Sequence, residues 1–365
     1  MTLPASGNSI SLQQTNVELG NTGTDEITMG SADVRGLFGV SSGAIDMSDG
    51  FGQSAAVWYG SRGIFMGGQL DNSGVSNTIS YVTIANTGNA SDFGDLVATQ
   101  TAAGGCSDGS RGLSGGGYES GGSPYRTDRI DYLTIANTGN ASDFGNLTQS
   151  RKSMGCLSDG SRGVFAGGGQ SSFNIIDYVT VANTGNASDF GDMLAVVENI
   201  SSAYHGGRGV FYKGPGDGNY TQGGIQYITV ATTGNAQAFG WGLVTTETTN
   251  AGCSSAAGRG IFGGGNHGAS GTNPPYTADN INYVTIANTG DATDFGNLTV
   301  YRYYGASSSD GSRGIFGGGY GGVANQSAGR VNVIDYITIA NTGNATDFGD
   351  LTQAKEGPPS ACSGT

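Results

Sequence analysis

Six times in this chain a tyrosine is followed twelve positions later by a phenylalanine, and the text between them barely changes. It reads "YVTIANTGNASDF" from Tyr81, "YLTIANTGNASDF" from Tyr132, "YVTVANTGNASDF" from Tyr178, "YITVATTGNAQAF" from Tyr227, "YVTIANTGDATDF" from Tyr283 and "YITIANTGNATDF" from Tyr336. A second marker, Arg-Gly before a short apolar and glycine-rich run, recurs at Arg62, Arg111, Arg162, Arg208, Arg259 and Arg313. The repeat tyrosines stand 51, 46, 49, 56 and 53 residues apart. A self-similar unit of about 50 residues means a propeller or a solenoid before any other architecture.

Each unit reads as four strands. In the third, "GCLSD" precedes the turn "GSRG", "VFAGG" is a second strand, "IIDYVTVA" a third, and "NTGN" leads into "ASDFGDM". Apolar residues at both parities of "IIDYVTVA" suit a strand covered on both faces. The small first strands suit a crowded axis. The expected fold is therefore all-β, a six-bladed propeller of four-stranded blades over residues 51–365, after a non-propeller segment at 1–50 that breaks the period. Seven segments resemble first strands, from Gln53 to the C-terminal "PPSACSGT", but only six sets of the others exist. Either the C-terminal segment completes the first blade, or residues 53–59 are a connector.

Composition narrows the function. With 69 glycines but no strict triplet period, and only 7 prolines, the chain is neither collagen-like nor simply disordered. A formal charge of −14 offers no footprint for phosphate backbones, so nucleic acid is not an expected partner. No run approaches the roughly 20 apolar residues of a membrane span, and "MTLPASGNSISLQQ" is not a signal peptide, so synthesis in a cytoplasm is expected. Cys106, Cys156 and Cys253 recur just before the Arg-Gly marker, with Cys362 in the matching place. Equivalent positions in separate repeats are out of disulfide reach, and no CxxC pair suggests zinc. Buried thiols, no metal and no cofactor are expected.

The double glycine closing the second strand and the aromatic of the third resemble the kelch family of propellers. The tryptophan usual in kelch fourth strands is replaced by Phe93, Phe144, Phe190, Phe239, Phe295 and Phe348. That resemblance implies a fold and no activity. Residues 1–50 resemble an N-terminal segment of tailed-phage virion proteins, "SLxQVNxELG", then "VRxLAGVxSGAISM", then an aromatic-Gly-Lys-Ser ending. The matching residues are Ser11–Gly20, Val34–Met47 and Phe51–Ser54, with Phe38 in place of alanine and Gln53 in place of lysine. It implies attachment to other virion tail proteins, a place in the virion tail and, as is usual for tail fibres, a homotrimer. On the residues themselves, Ser11 can cap a helix ending at Gly20 and Ser31 a second through Leu37.

Several lookalikes fail. "DFG" recurs at Asp92, Asp143, Asp189, Asp294 and Asp347 without any other kinase element, so it reads as a turn aspartate and a buried phenylalanine. The sequons at Asn89, Asn140, Asn186 and Asn344 read as turn asparagines. The six arginines read as structural donors to carbonyls rather than an anion-binding ring. Two histidines are too few for a copper oxidase, and sialidase boxes are missing. Paired carboxylates for glycan cleavage stay open as an alternative.

Length variation has one address. From tyrosine to the next marker arginine the interval is 30, 30, 30, 32 and 30; from arginine to tyrosine it is 19, 21, 16, 19, 24 and 23. The variable loop joins second and third strands, on the same end as the crossovers between units, which include "TQSRKS" from Thr148 and "TVYRYYG" from Thr299. Diverse loops on a rigid scaffold are a binding architecture, and tyrosines among Gly, Ser and Asn give adaptable contact area. Tyr118, Tyr125, Arg126, Tyr276, Tyr303, Tyr304 and Tyr320 are the expected contacts for a host-surface glycan or protein. The expected function is a phage tail or tail-fibre protein that binds a receptor without catalysis. A purely structural virion component is the alternative, and a glycan-active enzyme a further one.

Overall fold

The computed structural model describes residues 62–71, 74–120, 125–169, 173–213, 224–241, 247–248, 252–254, 258–267, 277–322, 329–357 and 360–364. The chain divides into two compact units, Met1–Val57 and Trp58–Thr365. The first lies outside the described residues, and with it the docking segment expected at 1–50, its two helices, and most of the strand expected from Gln53. Among the described residues the second unit is all-β, built of antiparallel sheets without a helix.

The repeat becomes a four-stranded meander. Sheet 2 orders Gly104–Ser107, Arg111–Gly115, Arg129–Thr134 and Ser142–Asn146 side by side. Sheet 3 does the same with Gly155–Ser158, Arg162–Ala166, Ile175–Thr180 and Ser188–Asp192, and sheet 4 with Ser201–His205, Arg208–Tyr212, Ile225–Thr229 and Gln237–Gly240. Sheet 5 comprises Gly252–Ser254, Arg259–His267, Thr277–Thr285 and Thr293–Asn297, with Glu247–Thr248 also paired to its second strand. Sheet 6 holds Ala306–Ser309, Arg313–Gly317, Val333–Thr338 and Thr346–Asp350.

Sheet 1 resolves the question of the seventh first strand. Arg62–Gln69, Val75–Thr83 and Ser91–Asp95 supply its second to fourth strands, and the C-terminal Ser360–Gly364 takes the first-strand place, pairing Ile64 with Cys362. Each first strand lies against those of the neighbouring sheets, and Ser360–Gly364 lies against both Ala306–Ser309 and Gly104–Ser107.

Local chemistry makes the hairpins. Asp108, Asp159 and Asp310 each accept, through Oδ1, the backbone N–H groups two and three residues on, which closes the turn before the marker arginine. The third strand is buried on both faces, as Ile176, Asp177 and Val179 illustrate. In all six sheets its tyrosine meets the fourth-strand phenylalanine edge to face, with centroids 5.8 to 6.1 Å apart. The core lies between sheets rather than within one. Leu113, Ile130 and Phe144 of sheet 2 pack with Phe165 and Val179 of sheet 3, and Phe65 and Val82 of sheet 1 pack with Ile315 and Phe348 of sheet 6.

The repeated words turn out to be the contacts between sheets. Gly139 of sheet 2 donates its N–H to the carbonyl of Phe93 in sheet 1, and Ala141 to that of Asp95; Asn140 Oδ1 accepts from Asp95 N at 3.1 Å. The "TGNA" segment thus covers the fourth-strand edge of the preceding sheet, an edge that would otherwise expose unpaired backbone groups. Equivalent bonds join each later pair, and Gly88 of sheet 1 donates to Phe348 of sheet 6 at 2.8 Å. The glycine of "DFG" is there for this approach: a Cβ on Gly191 would lie 2.5 Å from the carbonyl oxygen of Gly234. The marker arginines are donors to carbonyls, as expected. Arg62 sits 4.8 Å over the ring of Tyr81 and donates to the carbonyls of Ile135 and Ala136 in sheet 2. Arg111, Arg162, Arg208 and Arg259 each do the same to the following sheet, and Arg313 of sheet 6 reaches Ile84 and Ala85 of sheet 1.

Candidate functional site

With the repeat consumed by sheet-to-sheet bonds, the varied residues collect where second-to-third loops meet the crossovers. These segments pair with each other there. Thr101, in the crossover leaving sheet 1, bridges Tyr118 in the loop of sheet 2, and Tyr118 bridges Arg126; Lys152 bridges Gly169, and Gln69 bridges Glu356. Tyr301–Tyr303 of a crossover, Tyr320–Gly322 and Gly329–Arg330 form a small three-stranded sheet of their own.

What fixes the crossovers is a set of buried polar side chains. Arg151, fully buried, places Nη2 2.7 Å from Asp177 Oδ2 and donates also to the carbonyls of Ile175 and Phe165. Arg302 repeats this with Asp335 at 2.5 Å and the carbonyls of Phe316, Gly318 and Val333. Burial pushes both guanidinium groups below their ordinary range, and the neighbouring aspartate opposes it. Gln100 occupies the same place before sheet 2, bonded to Ser114 Oγ and the Gly116 carbonyl. Lys355 occupies it after sheet 6.

Two residues beyond each of these, and two beyond the buried apolar Val197 in the crossover leaving sheet 3, the backbone steps into the left-handed region. Ala102, Ser153, Asn199 and Tyr304 have φ of 55, 58, 57 and 54°, and Gly357 has 82°. They are linked in series: Ala102 N donates to Gly357 O, Ser153 N to Ala102 O and Asn199 N to Ser153 O. The Tyr304 side chain hydrogen-bonds Asn199, although the two belong to crossovers separated by two sheets. Strain of about 1 kcal/mol or more at each non-glycine position persists only when its surroundings dictate it, and such strain gathers at functional sites.

The expected contact residues fall into two groups on this framework. Tyr118 and Tyr125 stack with centroids 5.5 Å apart and planes 18° apart, Tyr125 being 53 % exposed, and Lys152 Nζ stands 6.0 Å from the Tyr118 centroid. Arg126 is half-buried beside them. Tyr303 meets Tyr304 at 4.7 Å and Tyr320 at 5.5 Å. Tyr276 lies outside the described residues. The groups share a wall: Thr101, paired with Tyr118, donates its hydroxyl to the Gly357 carbonyl, and Glu356 pairs with Arg330. Burial raises the hydroxyl pKa of Tyr303, as does the Glu356 carboxylate; for Tyr304, burial, Glu198 and Glu356 act the same way. Burial also raises Glu356, against the pull of Arg330.

Sequence reasoning missed two things here. Arg151 and Arg302, in crossovers expected to be surface, are buried anchors; the signal was the threonine three positions before each, matched by the aspartate of the "IDY" triplet in the next sheet. It also missed an apolar component. Every large hydrophobic side chain exposed among the described residues, namely Val97, Tyr125, Leu194, Val196 and Trp241, lies on a crossover, at its first residue, or in the variable loop. The arrangement can bind: it offers flat aromatic faces, apolar relief, cations and carboxylates on rigidly held turns. No protein-family model matches the chain, and no curated protein matches it.

Proposed function

We propose that the chain is a tailed-phage tail or tail-fibre protein whose second unit is a six-bladed, kelch-like β-propeller that binds a host-surface glycan or protein. The propeller reading is supported by the cyclic order of the bonds, in which sheet 6 returns to sheet 1 through Arg313, Gly88 and the C-terminal strand. The virion reading rests on the resemblance carried by Ser11–Gly20 and Val34–Met47, through which the protein docks to other tail components. One observation carries the binding role: among the described residues every large exposed hydrophobic or aromatic side chain lies at the crossover and loop end, while the opposite turns are repeated and carry nothing apolar larger than alanine exposed. Scattered exposure would be unremarkable on any protein, but segregation to one end marks an interaction surface.

The test is adsorption of the labelled full chain to a panel of bacterial cells and purified surface glycans. The double variant Tyr118→Ala/Tyr125→Ala is expected to lose about thirtyfold in affinity, the loss of about 2 kcal/mol that an anchoring aromatic commonly carries. Variants Asn137→Ser and Asn288→Ser, on the opposite turns, should bind like the parent. If the turn variants lose binding and the tyrosine variant keeps it, the wrong end has been chosen. Release of sugar from the bound glycan would favour a glycan-active enzyme.

A further inference from the structure

Three crossovers carry a threonine followed three residues later by a cation: Thr148 and Arg151, Thr299 and Arg302, Thr352 and Lys355. In the first two the cation and the threonine hydroxyl converge on one carboxylate. Thr148 Oγ1 donates to Asp177 Oδ1 at 2.7 Å while Arg151 holds Oδ2, and Thr299 and Arg302 treat Asp335 likewise. The third departs from this. Asp177 faces Asp189 and Asp335 faces Asp347 across their hairpins; the residue that faces Asp92 in sheet 1 is Ser80.

Ser80 and Thr352 place their hydroxyls 2.6 Å apart, and both Ser80 and Lys355 are 0 % exposed. Among the described residues the Lys355 ammonium has one acceptor, the Thr78 carbonyl, at 3.5 Å. The aliphatic stem lies over Gly68, where any Cβ would be crowded by the lysine chain, so the head group is directed rather than free to swing. A buried ammonium with three N–H groups and one long bond is costly unless something else accepts from it. A lysine and a serine are together smaller than an arginine and an aspartate by roughly the bulk of a carboxylate, within the same strand framework. Two hydroxyls bonded to each other also keep one O–H to donate elsewhere.

We propose that Lys355, Ser80 and Thr352 bind a small monovalent anion of chloride size, which takes the part played by the aspartate carboxylate in sheets 3 and 6. The ligand is anionic because the donors are an ammonium and a hydroxyl, and among the described residues no carboxylate pairs with Lys355 as Asp177 and Asp335 pair with Arg151 and Arg302. It is small because the space is that of a side-chain group. Protonation at neutral pH agrees with this, since burial lowers the lysine pKa only to about 8. The site stands beside Glu356 and Gly357, so its occupation tightens the segment that leads into the closing strand.

The experiment compares thermal unfolding of the full chain at pH 7 in sodium chloride and in sodium gluconate of equal ionic strength. The parent is expected to gain stability with chloride in a saturable way, by about 2 °C at ten times the dissociation constant. Ser80→Asp supplies the carboxylate covalently, so this variant should melt higher in gluconate and show no chloride-specific gain. Crystals grown in sodium bromide should show an anomalous peak between Lys355 Nζ and the Ser80 hydroxyl, which decides the matter even if Lys355→Met does not fold. A chloride gain shared by Ser80→Asp, the absence of any gain in the parent, or bromide found only elsewhere overturns the proposal.

Discussion

Replacing Asp335 by alanine tests whether the crossover anchors are as tightly buried as their geometry says. The carboxylate accepts from Arg302 Nη2 at 2.5 Å and from Thr299 N at 3.3 Å, and it takes the Thr299 hydroxyl as well. The side chains of Arg302 and Asp335 are 2 % and 0 % exposed. Truncating one member of a buried ion pair leaves an uncompensated charge, at a cost of about 3–5 kcal/mol, and the orphaned Thr299 N–H adds about 1 kcal/mol. Against a total of about 5–15 kcal/mol for a folded domain, this is a large fraction. The carbonyls of Phe316, Gly318 and Val333 remain as acceptors and keep the figure toward the lower end. The double variant Arg302→Met/Asp335→Ala removes the charge with its partner and should recover most of the loss. Guanidinium unfolding, followed by fluorescence and circular dichroism, gives both numbers at a common slope. A single variant costing under about 1 kcal/mol, or a double variant as damaged as the single, would mean that Arg302 and Asp335 are not a desolvated pair. Tyr303 and Tyr304 follow Arg302 directly, so the single variant should weaken adsorption more than the double.

Two further outcomes follow from the same structure. In chloride-free buffer, stability of the parent relative to Lys355→Met should rise with pH. The folded-state pKa of about 8 lies below the ordinary 10.5, so between these values the unfolded chain binds the extra proton; the gain is about 3 kcal/mol from pH 8 to 10.5, and a fall across that window would contradict the burial of Lys355. Gly191→Ala should cost about 1–3 kcal/mol by denaturant titration, because its Cβ meets the Gly234 carbonyl, whereas Gly185→Ala, which meets nothing within 4 Å, should be nearly silent; equal effects would show that the close approach of sheets is not what the glycine serves.

The four-strand order of each unit was legible because the repeat writes it six times, and the turn aspartates and marker arginines carry their mechanism in their spacing; the short strands Glu247–Thr248, Tyr301–Tyr303, Tyr320–Gly322 and Gly329–Arg330, in crossovers and variable loops outside the repeat, were not. The job of "TGNA" was less legible. It reads as a turn, and it is a turn residue by residue, but its main bonds go to a strand of another sheet about 45 residues away, as from Asn140 to Asp95. No local propensity encodes such a partner. The buried anchors were obscured for a related reason: Arg151 lies in a polar crossover that looks solvated, and only pairing it with Asp177, 26 residues on, reveals its burial. The tyrosines of the loop end were singled out by variation in length. The exposed Val97, Leu194, Val196 and Trp241 were not, since isolated apolar residues beside strands read as core.

The pairing of Ser360–Gly364 with Arg62–Met66 also sets a timetable for biosynthesis. A ribosome releases the second strand of sheet 1 roughly 300 residues before its first-strand partner, a delay of about 15–60 s at ordinary elongation rates. Sheets 2 to 6 draw all their strands from contiguous sequence and can assemble in order as they emerge. Sheet 1 must wait with one edge of Arg62–Gln69 unpaired, so a nascent chain is open to strand capture by neighbouring copies on the same polysome, and a prematurely terminated chain carries that exposed edge permanently.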